Sequence, residues 1–287
     1  MSTKEFLNDK VGQVFDDFIA ANQWCSLNGA DLSVDSYADI TYQQKYIIKY
    51  FSAYFCEYYE MYEDFFADFE GDHVNILSIG CGSGIDCYAL YRVLIDKGIG
   101  ININYKGLDF VDWSYRPTFG WATFKKGCIS SLGASDLQDV DLIVFPKSLT
   151  ELSYEHRCDF ANLLAKSNKK QNVYFINTYV TDYPAESSHV DGLSQFGTIS
   201  KILQRSSFKP STDPSRYFYK TKHNDWLGYS YNFFTIPDEV VPNVSSLKSQ
   251  CTNNGSQSDC SSCSIDFYPI LKANYLAFNM LKFERKV

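Results

Sequence analysis

The sequence has no run of about 18 apolar residues, the length that a membrane-spanning helix needs, so it predicts no contact with a membrane. The residues from Met1 to Lys10 are polar and lack the apolar segment of a secretory signal, which predicts a cytoplasmic protein. Positive charge is also scarce, since 26 Lys and Arg face 34 Asp and Glu for a formal net charge of −8. Proteins that bind the phosphate backbone of nucleic acids are usually basic, so this balance disfavours that class.

Apolar residues are plentiful, at 45% of the chain against 21% charged residues, and this balance excludes a wholly disordered protein. A chain of 287 residues can also bury most of its apolar surface without disulfide bridges. The aromatic content is high, with 22 Tyr, 22 Phe and 4 Trp. These rings are interpreted either as core and surface packing or as a pocket for a cation or a flat ligand. Composition leaves both interpretations open.

Residues 1–72 predict a helical N-terminal extension. Aromatic and aliphatic side chains recur every three or four positions from Tyr42 to Phe69, which is the spacing of one broad apolar face on a long helix. Asp39 or Thr41 can cap the start of this helix, and Gly71 suits its end. We interpret the aromatic face as a packing surface, for instance that of a homo-oligomer, with a lid over a substrate as the alternative.

Residues 73–287 predict an α/β domain. Short β-branched runs alternate with helical patterns, which is typical of βαβ units in a Rossmann-like, mostly parallel sheet with helices on both faces. Strands are expected at residues 74–79, 104–110, 122–126, 141–145 and 172–180, with an antiparallel strand near the C-terminus at residues 275–283. Residues 242–264 are rich in Ser, Asn, Gln and Asp and predict a polar surface loop.

The first of these strands runs into a glycine-rich turn, Gly80-Cys81-Gly82-Ser83-Gly84, with a helical pattern behind it. Glycine reaches a positive φ without a clash of Cβ, and it allows a ligand to lie directly against the main chain. The N-terminus of the following helix offers unpaired N–H groups to such a ligand. The dinucleotide fingerprint needs a further glycine where this chain has Ile85, and a P-loop motif is absent. The turn therefore suits an uncharged nucleoside better than NAD.

A carboxylate follows at the end of the next predicted strand, in Gly107-Leu108-Asp109-Phe110. A carboxylate at that position accepts hydrogen bonds from the hydroxyls of a ribose in nucleotide-binding α/β folds. The 25 positions from Gly84 to Asp109 slightly exceed the usual spacing of about 20. The turn and the acid together predict a nucleoside site at one edge of the sheet.

With its glycine turn, its acid-tipped second strand and the strand at residues 141–145, the sequence resembles the class I S-adenosylmethionine (SAM)-dependent methyltransferases over residues 74–180. The resemblance implies that the turn lines the cofactor, that Asp109 holds its ribose and that Phe110 covers one face of its adenine. It also implies a contact near adenine after the third strand, where Cys128-Ile129 stands and Cys128 replaces the usual acid. Phe145-Pro146 would follow the fourth strand, where the methyl donor meets the acceptor.

The resemblance implies an enzyme that transfers a methyl group from SAM to an unidentified acceptor, which is a small molecule, a protein or RNA. The alternative is a catalytically inactive member of the same fold that acts as a binding or assembly module. The missing acid on the adenine side and the cysteine-containing loop motivate this alternative. A third interpretation is an NAD-dependent oxidoreductase or another nucleotide-binding protein, and Ile85 argues against the oxidoreductase.

Lys147, Ser148 and Glu151 follow the fourth strand and stand where residues that bind the acceptor are expected. The alternative interpretation is that these residues are ordinary solvated side chains at the start of a helix. The segment lacks the [DNS]-P-P-[YFW] tetrapeptide of methylases that act on exocyclic base amines, and also the Pro-Cys nucleophile of cytosine-C5 enzymes. DNA is therefore a disfavoured acceptor. No side chain receives a catalytic role, since such an enzyme must mainly align the acceptor with the methyl group.

Nine cysteines are scattered along the chain, and without a secretory signal most are expected to be reduced thiols. Cys251, Cys260 and Cys263 lie in the polar loop, where a CxxC pair with a third thiol nearby predicts zinc as one interpretation. Zinc normally needs about four ligands, and His223 or Asp259 is a candidate for the remaining one. Free thiols in a surface loop, or a disulfide, are the alternatives.

Overall fold

The computed structural model describes residues 3–20, 34–179, 191–212, 218–221 and 275–286. The chain divides into two compact units. Among the described residues, the first unit holds those up to Glu57 together with Trp113–Tyr115, and the second holds all the others. None of the helices in the described ranges is long and apolar enough to cross a membrane.

The first unit is helical, with α1 at Thr3–Ala20, a 3₁₀ turn at Val34–Ala38 and the first part of α2, which spans Ile40–Asp68. The spacing of aromatic residues predicts this long helix correctly, to within two residues at its start and one at its end. Beyond Glu57, α2 belongs to the second unit.

Asp39 caps the start of α2, as the sequence predicts. Its Oδ1 accepts the backbone N–H of Thr41 at 2.7 Å, which satisfies one of the donors that a helix leaves unpaired. The aromatic face of the helix is largely buried: Phe55 is 0% exposed, and its ring centre lies 5.6 Å from that of Phe6 in α1. Packing within the first unit therefore accounts for this part of the face.

The second unit is built on one mixed sheet. Its strands are β1 His73–Ile79, β2 Asn102–Asp109, β3 Ala122–Lys126, β4 Leu142–Pro146, β5 Asn172–Tyr179, β6 Phe208–Pro210, β7 Phe218–Thr221 and β8 Tyr275–Arg285. Its helices after α2 are α3 Ile85–Asp96, α4 Ala134–Leu137, α5 Tyr154–Ser167 and α6 Asp191–Arg205. The strand order is β3-β2-β1-β4-β5-β8-β6, with β7 also paired to β8. β1 to β5 are parallel and β8 is antiparallel to β5, which confirms the predicted Rossmann-like sheet.

Helices cover both faces of the sheet. Successive side chains of a strand point to opposite faces, so neighbouring residues of β5 pack against different helices. On one face, the ring of Phe175 in β5 lies 5.2 Å from that of Phe196 in α6. On the other face, the ring of Tyr174 lies 5.4 Å from that of Phe65 in α2. Burial on both faces explains why the central strand β4 is a continuous hydrophobic run, buried at all five positions, rather than an alternating one.

The strand order reverses between β1 and β4, since β2 and β3 lie on one side of β1 whereas β4 and β5 lie on the other. In open α/β sheets, ligands bind in the crevice at this point, beyond the carboxyl ends of the strands. The register places Ile79 beside Leu108 of β2 and Ser78 beside Val144 of β4. The segments that follow β1, β2 and β4 therefore meet at this crevice.

Two short elements, α4 and β6, lie where the sequence pattern predicts no helix or strand. α4 has four residues and β6 has three, which is too few to show the periodicity of either element. β6 pairs with β8 and carries Phe208, which is 0% exposed. Burial in the core, rather than a local pattern, thus defines this strand. The predicted polar loop at residues 242–264 lies outside the described residues.

Candidate functional site

The turn after β1 has the backbone conformation that its glycines predict. Gly80, Gly82 and Gly84 have φ values of 74°, 54° and 74°, in the left-handed region that favours glycine. The turn is tied to β2, because the backbone N–H groups of Gly80 and Cys81 both donate to the carbonyl oxygen of Leu108, at 2.8 and 3.2 Å. Gly84 then serves as the N-cap of α3.

Two of these glycines are required by neighbouring protein atoms. A Cβ on Gly80 would lie 2.3 Å from the Cβ of Ser148, and one on Gly84 would lie 2.9 Å from the Cδ of Pro117. Carbon atoms do not approach so closely, so a larger residue at either position needs a rearrangement. Positive φ and contact with a ligand are the reasons for glycine in the turn that the sequence predicts; the positive φ is observed, and close packing of protein atoms is a further reason at positions 80 and 84.

Asp109 ends β2 and lies directly against the glycine turn. Its Oδ2 accepts the backbone N–H of Gly82 at 2.7 Å, and its Oδ1 accepts that of Val111 at 2.9 Å. Hydrogen bonds to a charged acceptor are strong, so both oxygens of the carboxylate are held beside the turn. The structure thus brings together the turn and the acid that the sequence pattern pairs.

Phe110 and the segment after β3 lie next to Asp109. Phe110 is 62% exposed, which leaves its ring accessible to a flat ligand. The backbone N–H of Gly127 donates to the carbonyl oxygen of Asp109 at 2.8 Å, and this bond brings the end of β3 to the acid. Of the two residues that follow, Cys128 is half-buried and Ile129 is buried. The three residues predicted to contact adenine therefore lie close to Asp109: Phe110 in the chain, and Cys128 and Ile129 through the sheet.

Cys128 stands where the resemblance described in the sequence analysis implies an acid. A hydrogen bond with the Ser130 side chain lowers the pKa of this thiol below its ordinary value, and backbone hydrogen bonds add to the effect while partial burial opposes it. Its Sγ lies 4.0 Å from Nε2 of His156 in α5. The negatively charged form of Cys128 is therefore favoured more than in an ordinary cysteine.

The segment after β4 begins with a strained residue. Phe145 and Pro146, the last two residues of β4, are buried. Lys147 has a φ of 60° and is the only residue other than glycine with a positive φ in the described ranges. Its backbone N–H donates to Oγ1 of Thr178 in β5 at 2.9 Å. Strained backbone of this kind costs about 1–3 kcal/mol and concentrates at functional sites.

Ser148 and Glu151 complete this segment. Ser148 is buried, and its hydroxyl donates to the carbonyl oxygen of Ile79, which joins the ends of β4 and β1. Glu151 lies in the 3₁₀ turn Leu149–Glu151. Glu151 is exposed, yet partial desolvation of its carboxyl raises the pKa of that group above its ordinary value, and the negative charge of Asp109 adds to the rise. The charge of Asp109 therefore acts on Glu151, and a nearby cation would stabilise the ionised form of Glu151.

Asp86, in the first turn of α3, is a buried acid that sequence reasoning does not single out. It is 0% exposed, and its Oδ2 accepts hydrogen bonds from the hydroxyls of Tyr105 at 2.8 Å and Tyr62 at 3.4 Å. Burial raises the pKa of Asp86 to about 6, although hydrogen bonds from its neighbours oppose the rise. An acid in a first helical turn usually faces solvent and complements the helix dipole, so no local signal reveals its burial.

Arg116 is, after Asp86, the second residue near the site that the sequence analysis does not identify, and it contacts the glycine turn. Its Nε donates to the carbonyl oxygen of Gly82 at 3.2 Å. The residue lies in an irregular segment between β2 and β3, without periodicity or a motif around it. Only the tertiary structure brings it to the glycine turn.

Among the described residues, no group of three or more His, Cys, Asp or Glu side chains is placed to hold a metal ion. Cys251, Cys260 and Cys263 lie outside the described residues, so zinc binding by them stays a prediction. Cys81 and Cys87 are buried, and burial raises the pKa of both thiols well above the ordinary value. Cys81 and Cys87 therefore behave as small buried apolar residues.

No family model and no curated protein matches this chain. Among solved structures, the chain is similar to a TehB-like SAM-dependent methyltransferase from Corynebacterium glutamicum, at 14% identity over 93% of this chain and 96% of that chain, with a TM-score of 0.39. It is also similar to the plantazolicin methyltransferase BpumL in complex with SAH, at 12% identity over 98% and 100% of the two chains, with a TM-score of 0.44. A third is the magnesium protoporphyrin IX methyltransferase ChlM from Synechocystis PCC 6803 with bound SAM, at 13% identity over 100% and 98%, with a TM-score of 0.38. At identities and TM-scores this low, neither activity nor substrate is transferred to this chain.

Proposed function

We propose that the protein is a SAM-dependent methyltransferase. The observation that carries this proposal is the hydrogen bond from the Gly82 N–H to Asp109, 27 residues apart. It places a fixed carboxylate beside a glycine turn, in the crevice where α/β sheets bind nucleotides. A carboxylate so placed suits the two hydroxyls of a ribose.

The other side chains of the crevice suit an adenosine that is attached to a positively charged group. Phe110 offers an exposed ring to a base, and the carboxylates of Asp109 and Glu151 favour a cation. Ser83 is 1% exposed, and its hydroxyl has no hydrogen-bond partner in the part of the chain that the structure describes. Such a hydroxyl costs about 1–3 kcal/mol. A polar ligand group at the turn would remove this cost.

We assign the cofactor to residues 80–84 of the turn, to Asp109 and Phe110, and to Cys128-Ile129 at the end of β3. When bound, SAM supplies an electrophilic methyl group on a positively charged sulfur. The contribution of this chain is to hold the acceptor in line with that group and to exclude water. The buried apolar side chains of Phe145 and Pro146, at the end of β4, suit the exclusion of water.

We place the acceptor at Lys147, Ser148 and Glu151. The hydrogen bond from the backbone N–H of Lys147 to Thr178 ties this segment to β5, and the bond from Ser148 to Ile79 ties it to β1. The Glu151 carboxylate, whose pKa is raised by partial desolvation, suits the role of taking a proton from the attacking atom of an acceptor. The acceptor that we propose is a small molecule, a protein or RNA.

Isothermal titration calorimetry of the full chain with SAM and S-adenosylhomocysteine (SAH) tests the proposal. We expect saturable binding that Gly82→Val abolishes, since valine is strained at a φ of 54°. Asp109→Ala should weaken binding by roughly tenfold or more. Asp141→Ala is the matched control: Asp141 also accepts a backbone N–H, that of Asn75 at 2.9 Å, but immediately before β4, at the opposite end of the sheet.

No heat with either ligand, or equal affinities for the wild type and both crevice variants, would contradict the proposal. Transfer of label from methyl-labelled SAM in a screen of small molecules, proteins and RNA then identifies the acceptor. Tight SAH binding with no transfer to any acceptor class would favour the inactive binding module instead.

A further inference from the structure

Arg116 has a buried side chain whose donors are aimed at main-chain carbonyls. The side chain is 9% exposed, and its guanidinium lies over Phe124, 5.2 Å from the ring centre. Nε donates to the carbonyl oxygen of Gly82 at 3.2 Å, and Nη2 donates to that of Val111 at 3.0 Å. A guanidinium removed from water needs such acceptors. These two carbonyls are therefore its structural partners.

Asp109 holds the same two residues by their N–H groups. Its carboxylate accepts the backbone N–H of Gly82 at 2.7 Å and that of Val111 at 2.9 Å. Asp109 therefore binds the backbone N–H groups of Gly82 and Val111, and Arg116 binds the carbonyl oxygens of the same two residues. We call these four residues, Gly82, Asp109, Val111 and Arg116, the Gly82 clamp.

The ion pair between Arg116 and Asp112, at 3.2 Å, does not explain this arrangement. The Asp112 side chain is 77% exposed, and ion pairs with an exposed partner contribute little to stability because water and salt screen them. The main-chain carbonyls of Gly82 and Val111 are the acceptors that specify where the guanidinium lies.

We propose that Arg116 is a positioning residue for the cofactor, which it serves through the Gly82 clamp without touching the reacting atoms. This inference rests on the proposed function. A glycine in a left-handed turn has more conformational freedom than any other residue, and a turn that is free must be ordered when a ligand binds. Because Arg116 orders the turn beforehand, less entropy is lost on binding, and the affinity is higher.

Binding of SAH to Arg116→Met, measured by calorimetry on the full chain, tests this inference. Methionine keeps much of the side-chain volume and removes the donors, so we expect the Kd to rise roughly tenfold or more. Arg116→Lys keeps the charge but cannot donate to both carbonyls in a fixed fork, and its Kd should lie between those of the wild type and Arg116→Met. If Arg116→Met fails to fold, the Kd of Arg116→Lys decides the question.

Arg285→Met is the matched control. Arg285 also lies over a phenylalanine, 4.7 Å from the ring centre of Phe208, and its Nε donates to the carbonyl oxygen of Lys170 at 3.4 Å. It stands at the end of β8 that pairs with the start of β5, opposite the crevice. We expect this variant to lose thermal stability while it keeps the Kd of the wild type.

A double-mutant cycle separates positioning from a general structural role. Once Asp109→Asn has weakened the clamp, Arg116→Met should raise the Kd for SAH by a smaller factor than it does in the wild type. Equal factors in both backgrounds, an unchanged Kd in Arg116→Met, or equal losses in Arg116→Met and Arg285→Met would overturn the inference. Wild-type chain that binds neither SAM nor SAH would instead overturn the proposed function, and the inference with it.

Discussion

The backbone N–H of Gly82 donates a 2.7 Å hydrogen bond to Oδ2 of Asp109, which lies 27 residues later in the chain. The bond joins the segment after β1 to the end of the neighbouring strand β2. It sets the position of the carboxylate and the conformation of the turn together, so neither can change alone. A substitution of either residue is therefore expected to alter both the carboxylate and the glycine turn of the candidate site.

Ser83→Ala should stabilise the folded chain and weaken ligand binding. The Ser83 hydroxyl is buried without a partner in the described ranges, so its removal is expected to raise the free energy of unfolding by about 1 kcal/mol. If a bound ligand uses this hydroxyl, the Kd for SAH rises in the same variant. Chemical denaturation and calorimetry measure the two effects.

Ser52→Ala is the control for this variant. Ser52 is also buried, and its hydroxyl also has no partner among the described residues, but it lies in α2 within the first unit. It should be stabilising in the same way and leave the Kd for SAH unchanged. An unaltered Kd in Ser83→Ala would remove Ser83 from the site.

Asp86→Asn should become more stable relative to the wild type as the pH rises. Burial raises the pKa of the Asp86 carboxyl from 3.8 to about 6, so the folded state binds this proton more tightly than the unfolded chain does. The contribution of Asp86 to stability is then fully present below pH 3.8 and is lost as the pH rises through about 6. The loss amounts to roughly 3 kcal/mol.

Urea denaturation of Asp86→Asn and of the wild type, between about pH 4 and pH 8, measures this difference. Asparagine keeps an oxygen that accepts the Tyr105 hydroxyl but carries no charge, so the gap between the two proteins reports the titration of Asp86 alone. A gap that is constant across this range would show that Asp86 does not titrate there.

Cys128 should react with iodoacetamide faster than Cys81 and Cys87 in the folded chain. Its pKa is lowered by the hydrogen bond with Ser130, whereas burial raises the pKa of the other two thiols, and the thiolate is the reactive form. Peptide mass spectrometry over a time course at neutral pH gives the three rates. Ser130→Ala should slow the labelling of Cys128, and equal labelling of Cys81 would contradict the expectation.

Gly80→Ala should destabilise the chain more than Gly98→Ala. Both glycines have positive φ, at 74° and 63°, so both variants carry the left-handed backbone cost of about 1–2 kcal/mol. An added Cβ meets Ser148 at 2.3 Å in the first case and nothing within 4 Å in the second. The difference between their free energies of unfolding, measured in urea, isolates the contact with Ser148. Equal losses would mean that Ser148 moves aside without cost.

Long elements and the glycine turn could be predicted from the sequence because their causes are local. The run predicted as a strand at residues 74–79 is β1, His73–Ile79, and the aromatic face from Tyr42 to Phe69 predicts α2, since these patterns depend only on neighbours in the chain. The short strand β6 could not be predicted, because its three residues form a strand only where β8 is beside them.

The order of the longer strands and helices, the left-handed glycines of the turn and the acid at the tip of β2 follow from the sequence alone, because each depends on the intrinsic preferences of nearby residues. Three relations arise only in the folded chain: Ser148 fills the space beside Gly80, Asp86 loses contact with water, and Arg116 reaches Gly82. These relations depend on which strands are neighbours and on what each residue buries. Packing contacts, desolvation and electrostatic interactions depend on position in space. Residues far apart in the chain therefore affect each other in these ways only when the sheet has formed.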